Sequence, residues 1–401
     1  VNFPACRHAK RKPPASSALV WLGGEPYRLF FLTGALFSIA GVLLWPLFFR
    51  WEIGGFPNVS HARVMTTAFG GAFVIGFLGT AGPRILSAPK LKPWELVPLF
   101  LLHLGSGICH LLGKTFAGDL LFVALLLGLI ASLAVRFLRF REDAPPPPLL
   151  LAATGLLCGL AGTVMGLDPS WLTTTERYRF AGLLLNQGFL LAPVMGVGVF
   201  LFPRLLGQGF GEPKSAADAR RLIRHMLFAA GLLVAGFVVD AWFHRPTGLL
   251  MRAAAFAFVL AHVRWRRAPG LPAAGTLANA LRGACVPLAL AGLVLPALVE
   301  SRQIGFSHLL YVTGFGLVCL IVGSRVLFGH SGSVERFANR SWTARLIVAA
   351  VVLAALTRIS ADFLPRVAIS HFEYAAWTWV AAAGAWTVWH ARRFFGKDPT
   401  E

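Results

Sequence analysis

The sequence predicts an all-α polytopic membrane protein, and three observations carry that expectation. Of its 401 residues, 56% are hydrophobic and only 13% charged, whereas soluble domains run to roughly half apolar and about a quarter charged. The apolar residues gather in runs of roughly twenty, long enough to cross a hydrocarbon core of about 30 Å at about 1.5 Å per residue. Basic residues recur at alternate connections between the runs, the pattern expected because positive charge resists translocation.

Twelve transmembrane helices are expected, near 27–49, 62–82, 94–113, 117–138, 148–167, 180–202, 222–243, 247–265, 280–299, 306–328, 342–360 and 367–390. The run at 280–299 is the weakest, with Arg282 at its edge and Pro287 and Pro296 inside. These runs make one transmembrane domain over 27–390, between a basic tail at 1–26 and a short tail at 391–401. No connection is long enough for a soluble domain. The first 26 residues lack the apolar stretch of a signal peptide, so the first run is expected to serve as the insertion signal.

A net charge of +20 raises the question of nucleic acid, but the basic residues form no single patch. They concentrate in the N-terminal tail (Arg7, Lys10, Arg11, Lys12) and after the second, fourth, sixth, eighth and tenth runs, and again in the C-terminal tail (Arg392, Arg393, Lys397). The other connections are poor in them. This places both termini in the cytoplasm of a bacterial inner-membrane protein whose partner is the lipid bilayer, with oligomeric state left open. The alternation also supports the count of twelve, because one missed helix would invert it downstream. Five cysteines, Cys6, Cys109, Cys158, Cys285 and Cys319, have no CxxC spacing and read as small apolar packers.

A repeat runs through the chain. The second, sixth and tenth runs end "GTAGPRILSA", "FLFPRLLGQG" and "IVGSRVLFGH", placing Arg84, Arg204 and Arg325 at intervals of 120 and 121 residues. That period equals four runs and suggests a pseudo-threefold arrangement of four-helix units. The three runs would then be equivalent and central, and their glycines, Gly70, Gly71, Gly76, Gly79, Gly196, Gly198, Gly314 and Gly316, fit close packing.

The chemistry lies in the histidines. By topology His61, His110, His244, His308 and His371 fall near the outer face, His103 deeper, and His225, His262, His330 and His390 near the inner face, with His8 in the tail. One interfacial histidine means little, but five at similar depth on different runs are candidate metal ligands, since bundles build cofactor sites from facing helices. His308 and His330 are 22 residues apart, about 33 Å along a helix, so they cannot share a metal. His103 and His110 are about 10.5 Å apart and cannot either. His61 and His308 are the natural pair. Against it, His61 precedes Arg84 by 23 residues and His308 precedes Arg325 by 17, an offset of about 9 Å in depth.

Other polar groups sit at membrane depth. Asp240 is four residues before His244 and would share its helical face, where a carboxylate can hold a ligating imidazole. Asn186 and Gln187 read as interhelical glue. Glu373 faces away from His371. Arg63, one turn into the second run, is costly unless paired or wetted and marks a cavity or an anion such as a propionate or a substrate carboxylate.

The chain resembles the NnrS family of bacterial membrane proteins. "HARVMTTAFGGAFVIGFLGTAGPR" (His61 to Arg84) is similar to that family's HxHEM segment and the GFLLTAxP after it, and "HLLYVTGFGLVCLIVGSRVLFGHSG" (His308 to Gly332) to its HAL…TRVxLGHTGR segment. His61 and Met65 take the first histidine and the methionine of HxHEM, while Arg63 and Val64 stand where its second histidine and glutamate would be. His308 and His330 match the later histidines. The resemblance implies a twelve-helix inner-membrane protein that binds haem b and is associated with nitric oxide metabolism and nitrosative-stress resistance, with nitric oxide or a related small ligand as partner. The same resemblance implies copper, which the two departures leave open. Cofactor contacts are expected from His61, His308, His330 and Arg63, and metal ligands among His61, His308, His110, His244 and His371. Three sets of four helices with histidines on the second and tenth also resemble the catalytic subunits of haem–copper oxidases and nitric oxide reductases, a fold-level analogy. The HxH pair that those subunits carry on the tenth helix is absent, which argues against oxygen reduction by that apparatus.

No acid–base or nucleophile constellation names a reaction. A second class of function is a cofactor-free multi-pass transporter of a small anionic solute, on the repeat, the Gly- and Pro-interrupted runs and Arg63. A third is an assembly factor that aids haem or copper insertion into another enzyme.

Overall fold

A computed structural model of the chain describes residues 25–265 and 274–396. The N-terminal tail with Cys6 and His8, the basic pair Arg266 and Arg267, and Lys397 lie outside the described residues. Among the described residues the secondary structure is helical throughout, with no strand.

Among the described residues twelve long rods follow in order, with one short α-helix, Val334–Ala338, between the tenth and eleventh. They are α1 (Pro26–Trp51), α2 (Asn58–Ile85), α3 (Pro93–Leu111), α4 (Thr115–Phe140), α5 (Leu149–Leu167), α6 (Thr175–Leu205) and α7 (Ala216–Trp242), then α8 (Arg245–Leu260), α9 (Thr276–Leu298), α10 (Glu300–His330) and α11 (Trp342–Phe363), and α12 (Ala368–Phe394). Ten of them are long and apolar enough to cross a membrane. The expectation of twelve falls short at α8 and α12. α8 has only 16 residues, ending at Leu260, about 24 Å of helix. α12 is long enough, but Trp377, Trp379, Trp386, Trp389, His371 and His390 lower its apolarity. The weakest expected run, 280–299, is one of the ten, as α9.

Nine rods close into a ring. α1 packs on α12, α12 on α11, α11 on α9, α9 on α8, α8 on α7, α7 on α5, α5 on α4, α4 on α3, and α3 back on α1. Inside run α2, α6 and α10, the three rods that the arginine spacing singles out. Their apolar windows are 83%, 83% and 61% buried, and no other candidate span exceeds 50%. The share decides which rods are central, since a helix apolar all round is one enclosed by other helices.

The three central rods share a construction. Each carries a short α-helix at or near its start, Asn58–Arg63, Thr175–Leu183 or, after a 3-10 turn, Gln303–His308. Each then widens into a π-helical stretch, Val64–Gly70, Leu184–Gly188 or Leu309–Leu317, and returns to α-helix. π-helical turns are rare and concentrate at functional sites, because they turn side chains out of the regular register. Threonines occupy the freed carbonyls: Thr67 Oγ1 donates to Arg63 O at 2.8 Å, and Thr313 Oγ1 donates to Leu309 O. Side chains tie the rods together at this level. Thr66 Oγ1 donates to Asn186 Oδ1 at 3.2 Å, joining α2 to α6. Gln187 Nε2 donates to Tyr311 Oη at 3.2 Å, joining α6 to α10. Asn186 and Gln187 are thus interhelical partners, as their placement in an apolar run suggested. Gly196 shows why small residues line these rods: a Cβ there would lie 2.4 Å from the backbone oxygen of Pro148 on the neighbouring segment.

Candidate functional site

The π-helical stretches of α2 and α10 flank a cavity of about 430 Å³, within the roughly 300–1,000 Å³ of small-molecule and cofactor sites. It is lined along α2 from Asn58 to Gly70 and along α10 from Ile304 to Phe315, with Asn186 and Leu190 from α6. Trp45, Phe69, Phe315, Phe372 and Trp379 make its walls largely aromatic. Few polar groups reach it, and two of them are His61 and His308. Both reach it although their spacings from Arg84 and Arg325 differ by six residues.

Both imidazoles are held the same way. His61 Nδ1 lies 2.9 Å from the carbonyl oxygen of Gly41 on α1. His308 Nδ1 lies 2.7 Å from the carbonyl oxygen of Ile304, one turn back on its own helix. A carbonyl only accepts, so each Nδ1 carries the proton and donates, and each Nε2 keeps its lone pair. Fixing Nδ1–H on a backbone carbonyl is how proteins orient a histidine that ligates a metal through Nε2. Gly41 makes the first of these contacts possible. A Cβ on it would lie 2.8 Å from Val64 Cγ1 and 3.0 Å from Met65 Sδ, so only glycine lets the α1 backbone come this close. Gly41→Val is expected to push α2 away from α1 and release His61, lowering the midpoint of thermal aggregation in detergent while the unheated protein still elutes as a single species. Size-exclusion chromatography after heating checks this.

One cation reaches the cavity, Arg358 of α11. Asp362 holds its Nη1 at 2.8 Å, and its guanidinium lies 4.5 Å from the Phe372 ring centroid. Arg63 does not line the cavity. Its guanidinium pairs with Asp119 of α4, at 2.9 Å from Oδ1 and 3.0 Å from Oδ2. Asp119 Oδ1 also meets His110 Nε2 at 3.0 Å, and His110 Nδ1 lies 3.1 Å from Thr67 Oγ1. The arginine in the opening segment is therefore paired with a buried carboxylate, which offsets its cost in the membrane.

The remaining candidates lie elsewhere. His110 is fully buried with both ring nitrogens engaged in the Arg63–Asp119 network. His244 is exposed and bonds Thr247 at 2.8 Å. It does not share a face with Asp240, because α7 ends at Trp242 and Phe243 leaves helical geometry. Asp240 instead pairs with Arg179 and Arg252. His371 Nδ1 lies 2.6 Å from Ser360 Oγ, and Glu373 pairs with Arg50 at 3.5 Å. His330 sits at the other end of α10, its Nε2 at 2.7 Å from Arg84 Nη1 and its ring against Tyr27.

The pairing of the two segments that face this cavity, far apart in sequence, accords with the comparison to known families. The profile described as NnrS protein matches residues 22–397, nearly the whole chain. The chain belongs to the NnrS family. No curated protein matches it. Of the residues that carry the NnrS likeness, His61, Met65 and His308 line the cavity. Val64, where the family segment has its glutamate, is fully buried against α1.

Reading the sequence alone misses Asp119, Tyr311 and Arg358. Each carried a signal: Asp119 and Arg358 are charges inside apolar runs, and Tyr311 follows His308 by three residues and so shares its face.

Proposed function

We propose that this NnrS protein is an inner-membrane haem protein acting in nitric oxide metabolism or nitrosative-stress resistance, with haem b held between His61 and His308. The observation that carries the reading is two imidazoles from different central helices, both anchored through Nδ1 and both lining one aromatic cavity. The residues present fit the group: aromatic walls suit a flat apolar macrocycle, two Nε2 lone pairs suit its iron, and Arg358 suits a propionate. Haem supplies an iron that binds small diatomic ligands. The chain orients the ligands, excludes water and balances the propionate charge.

A copper centre drawn from the same segment does not fit. Arg63 is committed to Asp119, Val64 has no donor atom, and among the described residues no three His, Cys, Asp or Glu side chains gather where a metal could bind. All twelve rods cross the bilayer on this reading, α8 and α12 as members of the closed ring. The cavity is lined by Phe56, Asn58 and Ile304, beside the lysine- and arginine-poor connections before α2 and α10, which supports a periplasmic site.

The test is an absorption spectrum of the protein purified in mild detergent, with iron and copper quantified together. A Soret band with about one iron per chain and little copper is expected. A colourless, monodisperse protein that moves a small anion across liposomes would instead establish the transporter reading.

A further inference from the structure

Tyr311 has a hydroxyl whose hydrogen-bond polarity is dictated by its neighbours. Arg252 on α8 is fully buried, and a guanidinium only donates. Its Nη2 pairs with Asp240 Oδ2, and its Nη1 donates to Gln187 Oε1 at 2.6 Å. That engages the amide oxygen and determines which end of Gln187 carries the nitrogen. Nε2 then donates to Tyr311 Oη at 3.2 Å. The phenol is an acceptor toward Gln187, so its one proton must be donated elsewhere. Among the described residues its hydroxyl meets no other partner, while Tyr311 lines the cavity one turn after His308. A half-buried tyrosine hydroxyl normally finds an acceptor.

The network behind it is a scaffold, not a proton path. Asp240 Oδ1 accepts from Arg179 at 2.5 Å and Oδ2 from Arg252, and a guanidinium only donates, so neither arginine relays a proton by accepting one. Its effect is to hold Gln187 in one orientation.

We propose that Tyr311 donates its hydroxyl hydrogen to a small ligand bound in the cavity beside His308, one presenting an oxygen or nitrogen lone pair, and that Gln187 is the positioning residue that aims it. The inference rests on the haem reading above. Its ligand is the exogenous one, not the macrocycle.

Carbon monoxide on the reduced protein is the probe, because it would displace His308, the imidazole beside Tyr311, from ferrous haem, and its stretching frequency reports a nearby hydrogen-bond donor. Tyr311→Phe and Gln187→Leu are compared with the parent by infrared spectroscopy, with haem content measured on the same samples. The expected result is unchanged haem content and a shift of the C–O stretch to higher frequency in Tyr311→Phe. A shift in the same direction is expected in Gln187→Leu, whose phenol is no longer aimed. An unchanged stretch in Tyr311→Phe with haem retained overturns the inference and leaves the haem reading standing. Haem lost from Tyr311→Phe but kept by the parent also overturns it, since the hydroxyl then serves the macrocycle. A parent protein without haem overturns both.

Discussion

Asp240→Ala is expected to lose most of its folded yield, with a destabilisation of about 3–5 kcal/mol, the usual cost of removing one partner of a buried ion pair. The physical reason is the position of Arg252. That residue is wholly buried on α8, its charge is met by Asp240 Oδ2, its other hydrogen bonds are to neutral oxygens of Gln187 and Gly248, and its guanidinium lies 5.3 Å from the Phe237 ring centroid. Removing the carboxylate strands a guanidinium within the bundle and also frees Arg179. The cost of an uncompensated buried charge exceeds that of the lost hydrogen bonds. The measurement is the midpoint of thermal aggregation in detergent, read by size-exclusion chromatography after heating. The double variant Asp240→Ala, Arg252→Met is expected to recover much of the loss, because it removes the stranded charge along with its partner. A double variant no better than Asp240→Ala would mean that the carboxylate acts through Arg179 alone.

The second large effect concerns the ligands. On the haem reading proposed above, His61→Ala and His308→Ala would each retain under about a tenth of the parent haem, as loss of one of the two imidazoles that would hold it is worth well over the ~1.4 kcal/mol that makes a factor of ten. His244→Ala and His371→Ala are expected to keep it, since neither lines the cavity. His110→Ala is expected to lower stability instead, because it leaves Asp119 with Arg63 alone in a buried site. Haem per protein, with the elution profile as a control for folding, separates these classes.

The architecture was legible where length and apolarity decide it. A rod such as α4 or α5 announces itself as about twenty apolar residues, and Arg84, Arg204 and Arg325 mark α2, α6 and α10 as equivalent. The starts of those same rods were not legible. α6 begins at Thr175 and α10 at Glu300, several residues before their apolar runs, because polar first turns of a helix look like loop to a hydropathy reading. The π-helical stretches left no trace either, since they change the register of side chains without changing composition. At the site, topology alone could put His61 and His308 at one end of the bundle, where both line the cavity. Arg63 could not be assigned, because its partner Asp119 lies on another rod, 56 residues on, and no spacing rule connects them. Asp240 and His244 were misjudged as a pair for the converse reason: the spacing was helical and the backbone was not.

The central claim is that His61 and His308 meet across one haem. Low-temperature electron paramagnetic resonance of the oxidised protein tests it most directly. Two imidazole ligands give a low-spin ferric signal, and both single alanine variants, after haem is added back in excess, should give a high-spin one. A high-spin signal in the parent, or a low-spin signal that survives in either variant, would contradict the account.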